Sequence, residues 1–246
     1  MNNNLITAGF LIIGNEILSG RTPDQNLNFL AKNLAEMGIV LREVRVIGDF
    51  EDEIIENVKH LKSKYNYVFT SGGIGPTHDD ITTSCIAKAF NQELILHPLA
   101  NEILIKHYGS ENINEARLKM AYLPVNAELL DNPVSSAPGF RLENVFVMAG
   151  VPKIFQAMFV ASSKELVRGQ KIYSREIKFK LTESSIAHDL TKLQQEYLDV
   201  AMGSYPFEGG TSLVFRSINL NQVNIAINKM IDLIKILNPN ENIEIS

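Results

Sequence analysis

The sequence predicts an α/β protein with a doubly wound, mostly parallel sheet, followed by a small α+β second domain. Residues 6–13 form a nearly continuous apolar run, which is typical of a strand buried on both faces of a parallel sheet. Apolar strand patterns then alternate with amphipathic helix patterns as far as residue 90, as in doubly wound sheets. Beyond residue 169 the pattern changes to one strand, one helix, a hairpin and a closing helix.

The first part of the chain contains three strand–helix pairs. Gly14, Asn15 and Glu16 break the first apolar run, and residues 26–37 then have apolar side chains at helical spacing. Gly38 is a typical stop for that helix. The next elements are a strand at 39–47, an amphipathic helix at 51–64, a strand at 68–70 and a helix at 81–90.

The region between residues 99 and 168 mixes helices with turns. Residues 99–108 and 112–121 have helical patterns, whereas 125–142 is rich in turn residues. Residues 145–148 are a short apolar strand. Pro152 suits the first position of a helix, where its missing N–H costs nothing, and it precedes a helix predicted at 153–159.

A boundary near Gly169 divides the chain into predicted domains at 1–168 and 169–246. The second domain has a strand at 171–181, a helix at 184–197, strands at 200–205 and 213–217 that flank Gly209 and Gly210, and a helix at 221–237. The apolar character of this hairpin and helix predicts contact between subunits. We therefore expect a homo-oligomer, and specifically a dimer.

Composition excludes several classes of protein. A formal net charge of −5 over 246 residues argues against nucleic acid as the main partner. The single cysteine, Cys85, cannot form an intramolecular disulfide or a cysteine metal cage, and its apolar neighbours predict buried packing. The apolar run near the N-terminus is short and has no basic residue before it, so we expect neither a signal peptide nor a membrane span, and a cytoplasmic location.

The segment from Ser71 to Thr82 is the strongest functional signal. Its sequence, SGGIGPTHDDIT, leads from an apolar strand into a helix, where backbone N–H groups can converge on an anion. Asp79 and Asp80 then offer oxygen ligands for a hard cation beside that anion. Neither a Walker A lysine nor the dinucleotide fingerprint is present. The alternative is a turn in which Thr77 caps the helix and Asp80 completes a capping box.

Two further acidic residues are predicted at the same edge of the sheet. Ligands of open α/β sheets bind beyond the carboxyl ends of the strands, which is where Glu16, Asp49 and the glycine-rich segment fall. Asp49 has an alternative interpretation as a cap of the helix that follows it. Gly73 and Gly75 are expected to adopt positive φ or to allow close backbone approach, because a Cβ there would enter the space of the anion.

Four ordered motifs resemble the competence/damage-inducible protein A family. They are GNEILSG at 14–20, the segment at 71–82, NPVSSAPG at 132–139 and GVP at 150–152. The resemblance over residues 5–163 implies a MoaB/Mog-type molybdopterin-binding domain, and the tail looks like the KH-like module that follows it in that family. Because the chain ends just after this module, the family's C-terminal amidase domain and its activity are not expected here.

The resemblance implies two activities. The presence of Glu16 together with Asp79 and Asp80 resembles metal-dependent pyrophosphatases of ADP-ribose or a related dinucleotide. The alternatives are a molybdopterin-binding protein of molybdenum cofactor biosynthesis, acting on a pterin phosphate, and a non-catalytic ligand-binding relative. The implied cofactor is magnesium, manganese or cobalt, held by Asp80, Asp49 and Glu16, with Asp79 as a further ligand or water-orienting group.

The remaining residues are expected to bind the phosphates or shape the cleft. The phosphates would lie on the amides of 72–77, and the loop at 138–139 would form part of the cleft wall. Asn26 is either a ligand-binding residue or the start of a helix. The full set is Ser71, Gly72, Gly73, Gly75, Pro76, Thr77, Thr82, Asn26, Pro138 and Gly139.

Overall fold

The computed structural model of the protein describes residues 5–246. The chain divides into two compact units, and each has its own core. Unit 1 ends at Gly169, and unit 2 spans Gln170–Ser246.

Unit 1 is built on a six-stranded sheet with the order β2-β1-β3-β8-β7-β6. Its strands are β1 (Thr7–Ile13), β2 (Val40–Ile47), β3 (Tyr67–Ser71), β6 (Glu128–Leu130), β7 (Gly139–Leu142) and β8 (Val145–Met148). The four strands β2, β1, β3 and β8 are parallel, whereas β7 and β6 are antiparallel to their neighbours. The predicted mostly parallel α/β fold is therefore confirmed.

Helices cover both faces of this sheet. They are α1 (Asn15–Leu18), α2 (Asn26–Glu36), α3 (Glu51–Lys64), α4 (Thr82–Ala89), α5 (Pro98–Tyr108), α6 (Glu115–Lys119) and α7 (Pro152–Ser162). Alternate residues of β1 explain the two layers: Leu11 and Ile13 pack with α3, α4 and α5, whereas Phe10 and Ile12 pack with α2 and α7. A strand buried on both faces needs the continuous apolar run that the sequence contains.

Several short elements differ from the sequence-based assignment. Residues 125–142 were predicted as turns, yet they contain β6 and β7. A further antiparallel pair, β4 (Leu94–Leu96) with β5 (Tyr122–Pro124), was missed. The helix predicted at 112–121 is limited to α6 because Asn114 caps it by accepting a hydrogen bond from the Arg117 N–H. Strands of three or four residues are too short to show an alternating pattern, and they depend on distant partners.

Unit 2 has the predicted order of strand, helix, hairpin and helix. Its elements are β9 (Tyr173–Phe179), α8 (Glu183–Glu196), β10 (Ala201–Phe207), β11 (Gly210–Ser217), α9 (Leu220–Leu237) and β12 (Glu244–Ile245). The strands form an antiparallel sheet with the order β10-β11-β9-β12. Apolar side chains of both helices pack with Ile177, Leu213 and Phe215 of the sheet. The expected dimer stays a prediction.

Two features of the described residues bear on function and accessibility. None of their helices is both long and apolar enough to cross a bilayer. Cys85 lies in α4 with no solvent exposure, and its burial raises the pKa of the thiol to about 11. The predicted buried packing of this cysteine agrees with its position.

Candidate functional site

A cavity of about 590 Å³ opens at the carboxyl ends of β1, β2, β3 and β8. This is the edge where open parallel sheets bind ligands, because the loops after neighbouring strands diverge there. Most residues predicted for the site line this cavity, namely Glu16, Asp49, Gly72, Gly73, Gly75, Pro76, Asp79, Asp80 and Pro138. Segments far apart in sequence are thus brought to one place by the order of the strands.

The glycine-rich turn after β3 needs glycine for steric reasons. Gly72 and Gly73 have φ values of 108° and 69°, in the region that side chains disfavour. A Cβ on Gly72 would lie 2.1 Å from the Ile13 carbonyl oxygen, and one on Gly73 would lie 2.1 Å from Thr82 Oγ1. The expected positive φ of Gly73 is present. The expectation that its Cβ would enter the anion's space is wrong, because that space holds Thr82.

Gly75 differs from its two neighbours. Its φ is outside the left-handed region, so backbone conformation alone does not require glycine. A Cβ there would instead lie 2.6 Å from Asp80 Oδ2. Glycine at this position therefore leaves room for the Asp80 carboxylate.

Consecutive backbone N–H groups of the turn remain available for an anion. The Gly72 N–H donates to the Met148 carbonyl at 3.1 Å, and the Gly73 carbonyl accepts from the Thr82 N–H at 2.9 Å. Across residues 5–246, the N–H groups of Gly73, Ile74 and Gly75 have no hydrogen-bond acceptor. All three residues line the cavity. Successive free amides in a turn form a concave site with positive potential, which suits a phosphate.

The acidic turn at 77–80 gathers oxygen atoms around one hydroxyl group. Thr77 Oγ1 lies 2.5 Å from Asp79 Oδ1 and 2.5 Å from Asp80 Oδ2, and the Thr77 N–H donates to Asp80 Oδ2 at 2.8 Å. A hydroxyl has one proton and can donate to only one of the two carboxylates. The hydrogen bond from Thr77 lowers the pKa of Asp79, which favours its charged form.

The turn does not cap α4. That helix begins at Thr82 with Ile81 at the N-cap, and no side chain accepts a hydrogen bond from its first turn. The pair of Thr77 and Asp80 therefore does not cap α4, although the bond from the Thr77 N–H to Asp80 that a capping box contains is present within the turn. Lys119 also contacts the turn, where its ammonium group donates to the Thr77 carbonyl oxygen and not to a carboxylate.

Asp49 and Glu16 stand at the ends of two neighbouring strands. Asp49 Oδ2 accepts a hydrogen bond from the Asn15 N–H at 2.9 Å, at the start of α1. The alternative that Asp49 caps the following helix is wrong, since the N-cap of α3 is Phe50, without a side-chain cap. Glu16 lies exposed in the first turn of α1 and lines the cavity.

The proposed metal ligands line one cavity without forming a ready-made cage. In the part of the chain that the structure describes, no three His, Cys, Asp or Glu side chains are grouped closely enough to hold an ion. The expected set of Asp80, Asp49 and Glu16 is therefore not assembled as a three-carboxylate site. The convergent oxygens of Thr77, Asp79 and Asp80 fit a hard cation best, because such ions prefer carboxylate and hydroxyl oxygens.

Several predicted site residues lie behind the cavity wall or outside it, namely Asn26, Ser71, Thr77, Thr82 and Gly139. The Asn26 side chain amide donates to Ser71 Oγ at 2.8 Å and to the Gly150 carbonyl at 2.9 Å. Asn26 is 2% exposed, and its side chain holds the ends of β3 and β8 together behind the cavity wall. It is also the first residue of α2, which agrees with its alternative interpretation as a helix start, and its assignment as a ligand-binding residue stays a prediction.

Other lining residues were not predicted. Tyr108 at the end of α5 and Met120 just after α6 contribute to the cavity, together with Thr22 and Ile154. No local motif marks these positions, because they reach the cavity only through the packing of distant segments. Asn132, Ser135 and Ala137 also line it, within a motif that had been noted for its resemblance alone.

Sequence comparisons match both units to known families. Residues 9–168 match the family described as "Probable molybdopterin binding domain". Residues 171–238 match the family described as "FAD synthase, middle domain". The expected KH-like identity of unit 2 is therefore wrong, and its antiparallel sheet is that of another small α+β module.

Individual proteins with similar sequences support the same grouping. A protein of Archaeoglobus fulgidus is 33% identical over 227 residues, which cover 92% of this chain and 97% of that protein. A competence-damage inducible protein of Clostridium botulinum is 33% identical over 221 residues, covering 84% of this chain. The match spans 53% of the clostridial protein, so the chain corresponds to about half of its length.

A solved structure is also similar. The crystal structure of the protein CinA, of unknown function, from Thermoplasma acidophilum has 35% sequence identity and a TM-score of 0.63. The similarity covers 66% of this chain and 99% of that protein.

Proposed function

The chain belongs to the CinA-like family of competence-damage inducible proteins with a MoaB/Mog-type molybdopterin-binding domain, and from this membership we propose that unit 1 binds a phosphorylated small molecule. The ligand is a pterin phosphate or a nucleotide. The observation that carries the proposal is that Gly73, Ile74 and Gly75 line the cavity and that their N–H groups have no acceptor among the described residues. An anion placed there would accept hydrogen bonds that the protein itself does not satisfy.

The phosphate contribution is tested with ligands that differ only in that group. We expect AMP to bind at least about tenfold more tightly than adenosine in calorimetric titrations, since each hydrogen bond to a charged group contributes about 1.5–3 kcal/mol. The phosphate ester of 6-hydroxymethylpterin and its unesterified form provide the same comparison for a pterin. Equal affinities within both pairs would contradict binding at the glycine-rich turn.

A second candidate function is metal-dependent hydrolysis of a pyrophosphate such as ADP-ribose. It is favoured by the oxygens of Thr77, Asp79 and Asp80 beside the free amides, with Glu16 and Asp49 lining the same cavity. Magnesium commonly uses one or two protein carboxylates together with substrate phosphates, so three grouped carboxylates are not required. An ion bound there would neutralise charge on the phosphate oxygens and acidify a bound water.

The chain's own residues would then have separate roles. The amides of the turn would hold the phosphates, and Asp80 with Asp79 would hold the ion. Glu16 and Asp49 are the carboxylates placed to accept a proton from water or to complete the ion's ligands, because both line the cavity.

Hydrolysis is tested by product formation. The purified protein is incubated with ADP-ribose, FAD and NADH in the presence of magnesium, manganese or cobalt, with a chelator as the control. We expect AMP to be released from at least one substrate, and only with a divalent ion. No AMP from any substrate under any of the three metals would contradict hydrolysis and leave ligand binding as the function.

A further inference from the structure

We propose that Tyr108 is the surface on which a flat heteroaromatic ring of the ligand stacks, an inference that rests on the proposed binding of a phosphorylated small molecule. It assigns the ligand to a class: a phosphate ester that also carries a purine or pterin ring. The ring would lie on Tyr108 while the phosphate occupies the amides of the glycine-rich turn.

Tyr108 is held in a fixed orientation from two sides. The Arg117 guanidinium covers one face of the Tyr108 ring, with its carbon 4.3 Å from the ring centre, and Arg117 also donates a hydrogen bond to the Asn112 carbonyl, so the ligand's ring would lie on the other face. The His107 ring meets Tyr108 at 82°, with the ring centres 4.6 Å apart. A ring fixed before the ligand arrives loses little freedom on binding, which increases affinity.

The surroundings of Tyr108 are apolar, unlike the turn beside them. Met120, Ile74, Ala137 and Pro138 line the same cavity. Methionine adapts its shape to flat aromatic partners, and its sulfur interacts favourably with them. Ile74 belongs to the glycine-rich turn and lines the same cavity as Tyr108, so one ligand would contact both.

Tyr108 is the single aromatic side chain among the described residues that line the cavity. Ala149, Val151, Pro152 and Ile154 also line the cavity, but they are aliphatic and offer no π face. Stacking on an aromatic side chain recognises any flat ring, which explains why purine and pterin ligands share the class.

The test compares ligands and variants that differ only in the ring. AMP and ribose 5-phosphate share the sugar and the phosphate and differ in the base. We expect the wild-type protein to prefer AMP, or the phosphate ester of 6-hydroxymethylpterin, to ribose 5-phosphate by about tenfold or more. Tyr108→Leu should abolish this preference and change the affinity for ribose 5-phosphate by less than about twofold. Tyr108→Phe should retain the preference.

Tyr205→Leu is the matched control, because Tyr205 is an exposed tyrosine of unit 2 and does not line this cavity. A second measurement uses wild-type protein alone. The chain has no tryptophan, so the emission of the etheno derivative of AMP can be followed at long excitation wavelengths, and stacking should quench it. If the phosphate makes no difference to affinity in either the adenosine pair or the pterin pair, the proposed function fails. If phosphate esters bind but no ring-dependent preference is found, or Tyr108→Leu keeps it, the assignment of Tyr108 is overturned.

Discussion

The carboxylate of Glu43 and the two carboxylates of the acidic turn differ in how many hydrogen-bond donors of the protein surround them. Glu43 on β2 accepts hydrogen bonds from Lys64 Nζ at 2.7 Å, from the Tyr65 hydroxyl at 2.6 Å and from Arg45 Nε at 2.7 Å. These donors lower the pKa of Glu43 to about 2. The acidic turn has two carboxylates, Asp79 and Asp80, that share the hydroxyl of one threonine.

The difference lies in how far cations of the protein itself neutralise each carboxylate. Glu43 is neutralised by two cations of the protein, and its charge holds β2 to α3. The basic side chain within 4 Å of the acidic turn's carboxylates, among the described residues, is that of His78, which is 98% exposed and 3.9 Å from Asp79. Lys119 lies close enough to contact the turn, yet it binds a carbonyl. Among the described residues, the carboxylates of the acidic turn therefore have no lysine or arginine within 4 Å, unlike Glu43.

The largest expected effect comes from removing one charge of the acidic turn. We expect Asp80→Asn to reduce metal-dependent release of AMP at least about a hundredfold, because a metal contributes several kcal/mol of charge stabilisation in the transition state. The thermal melt should stay close to that of the wild type, because the asparagine oxygen can still accept from the Thr77 N–H. Hydrolysis at the wild-type rate with the same metal requirement would make Asp80 structural, as Glu43 is.

A smaller effect, on ligand affinity, is expected when a substitution displaces the glycine-rich turn and leaves every carboxylate unchanged. Gly73→Ala places a Cβ against Thr82 Oγ1, so it should weaken AMP binding by about tenfold, equivalent to losing one charged hydrogen bond. Gly209→Ala is the control, since Gly209 also has positive φ but has no atom within 4 Å of the added carbon. The control should show the loss of thermal stability from backbone strain and unchanged affinity. If both variants bind AMP with the same affinity, the glycine-rich turn does not contact the ligand.

The smallest effect concerns stability and its pH dependence at Glu43. We expect Glu43→Gln to lower the free energy of unfolding by about 1–2 kcal/mol at neutral pH, because hydrogen bonds to a charged group are weakened. The folded-state pKa is below the ordinary value of 4.5, so this stabilisation is present above that pH and is lost as the pH falls toward about 2. Denaturant melts of both proteins across this range should converge. A difference that is constant with pH would rule out the charge of Glu43 as its source.

The fold was predictable where the signal is local and long. The bounds of α3 follow from its apolar stripe, with acidic residues in the first turn and basic residues in the last. β8 follows from four consecutive apolar residues. The short strands β4, β5 and β6 could not be predicted, because three residues define no period and their partners are far along the chain.

The site was predictable where chemistry and topology coincide. Glu16, Asp49 and the glycine-rich turn follow strands whose carboxyl ends must meet in a parallel sheet. Asn26 and Thr82 were also assigned to the ligand, but both are buried and neither lines the cavity. Tyr108 lines the cavity but was not predicted, because the sequence near a helix end does not indicate which distant segments that residue will contact.

The complete burial of Cys85 makes the reactivity of its thiol a measure of how often α4 separates from the core. Thiol reagents attack the thiolate, and a pKa of about 11 together with full enclosure leaves almost none accessible in the closed protein. Modification must therefore wait until α4 separates from the core, and its rate measures how often this happens. Because Cys85 is the single cysteine of the chain and α4 begins directly after the acidic turn, we expect a ligand bound at that turn to slow the modification.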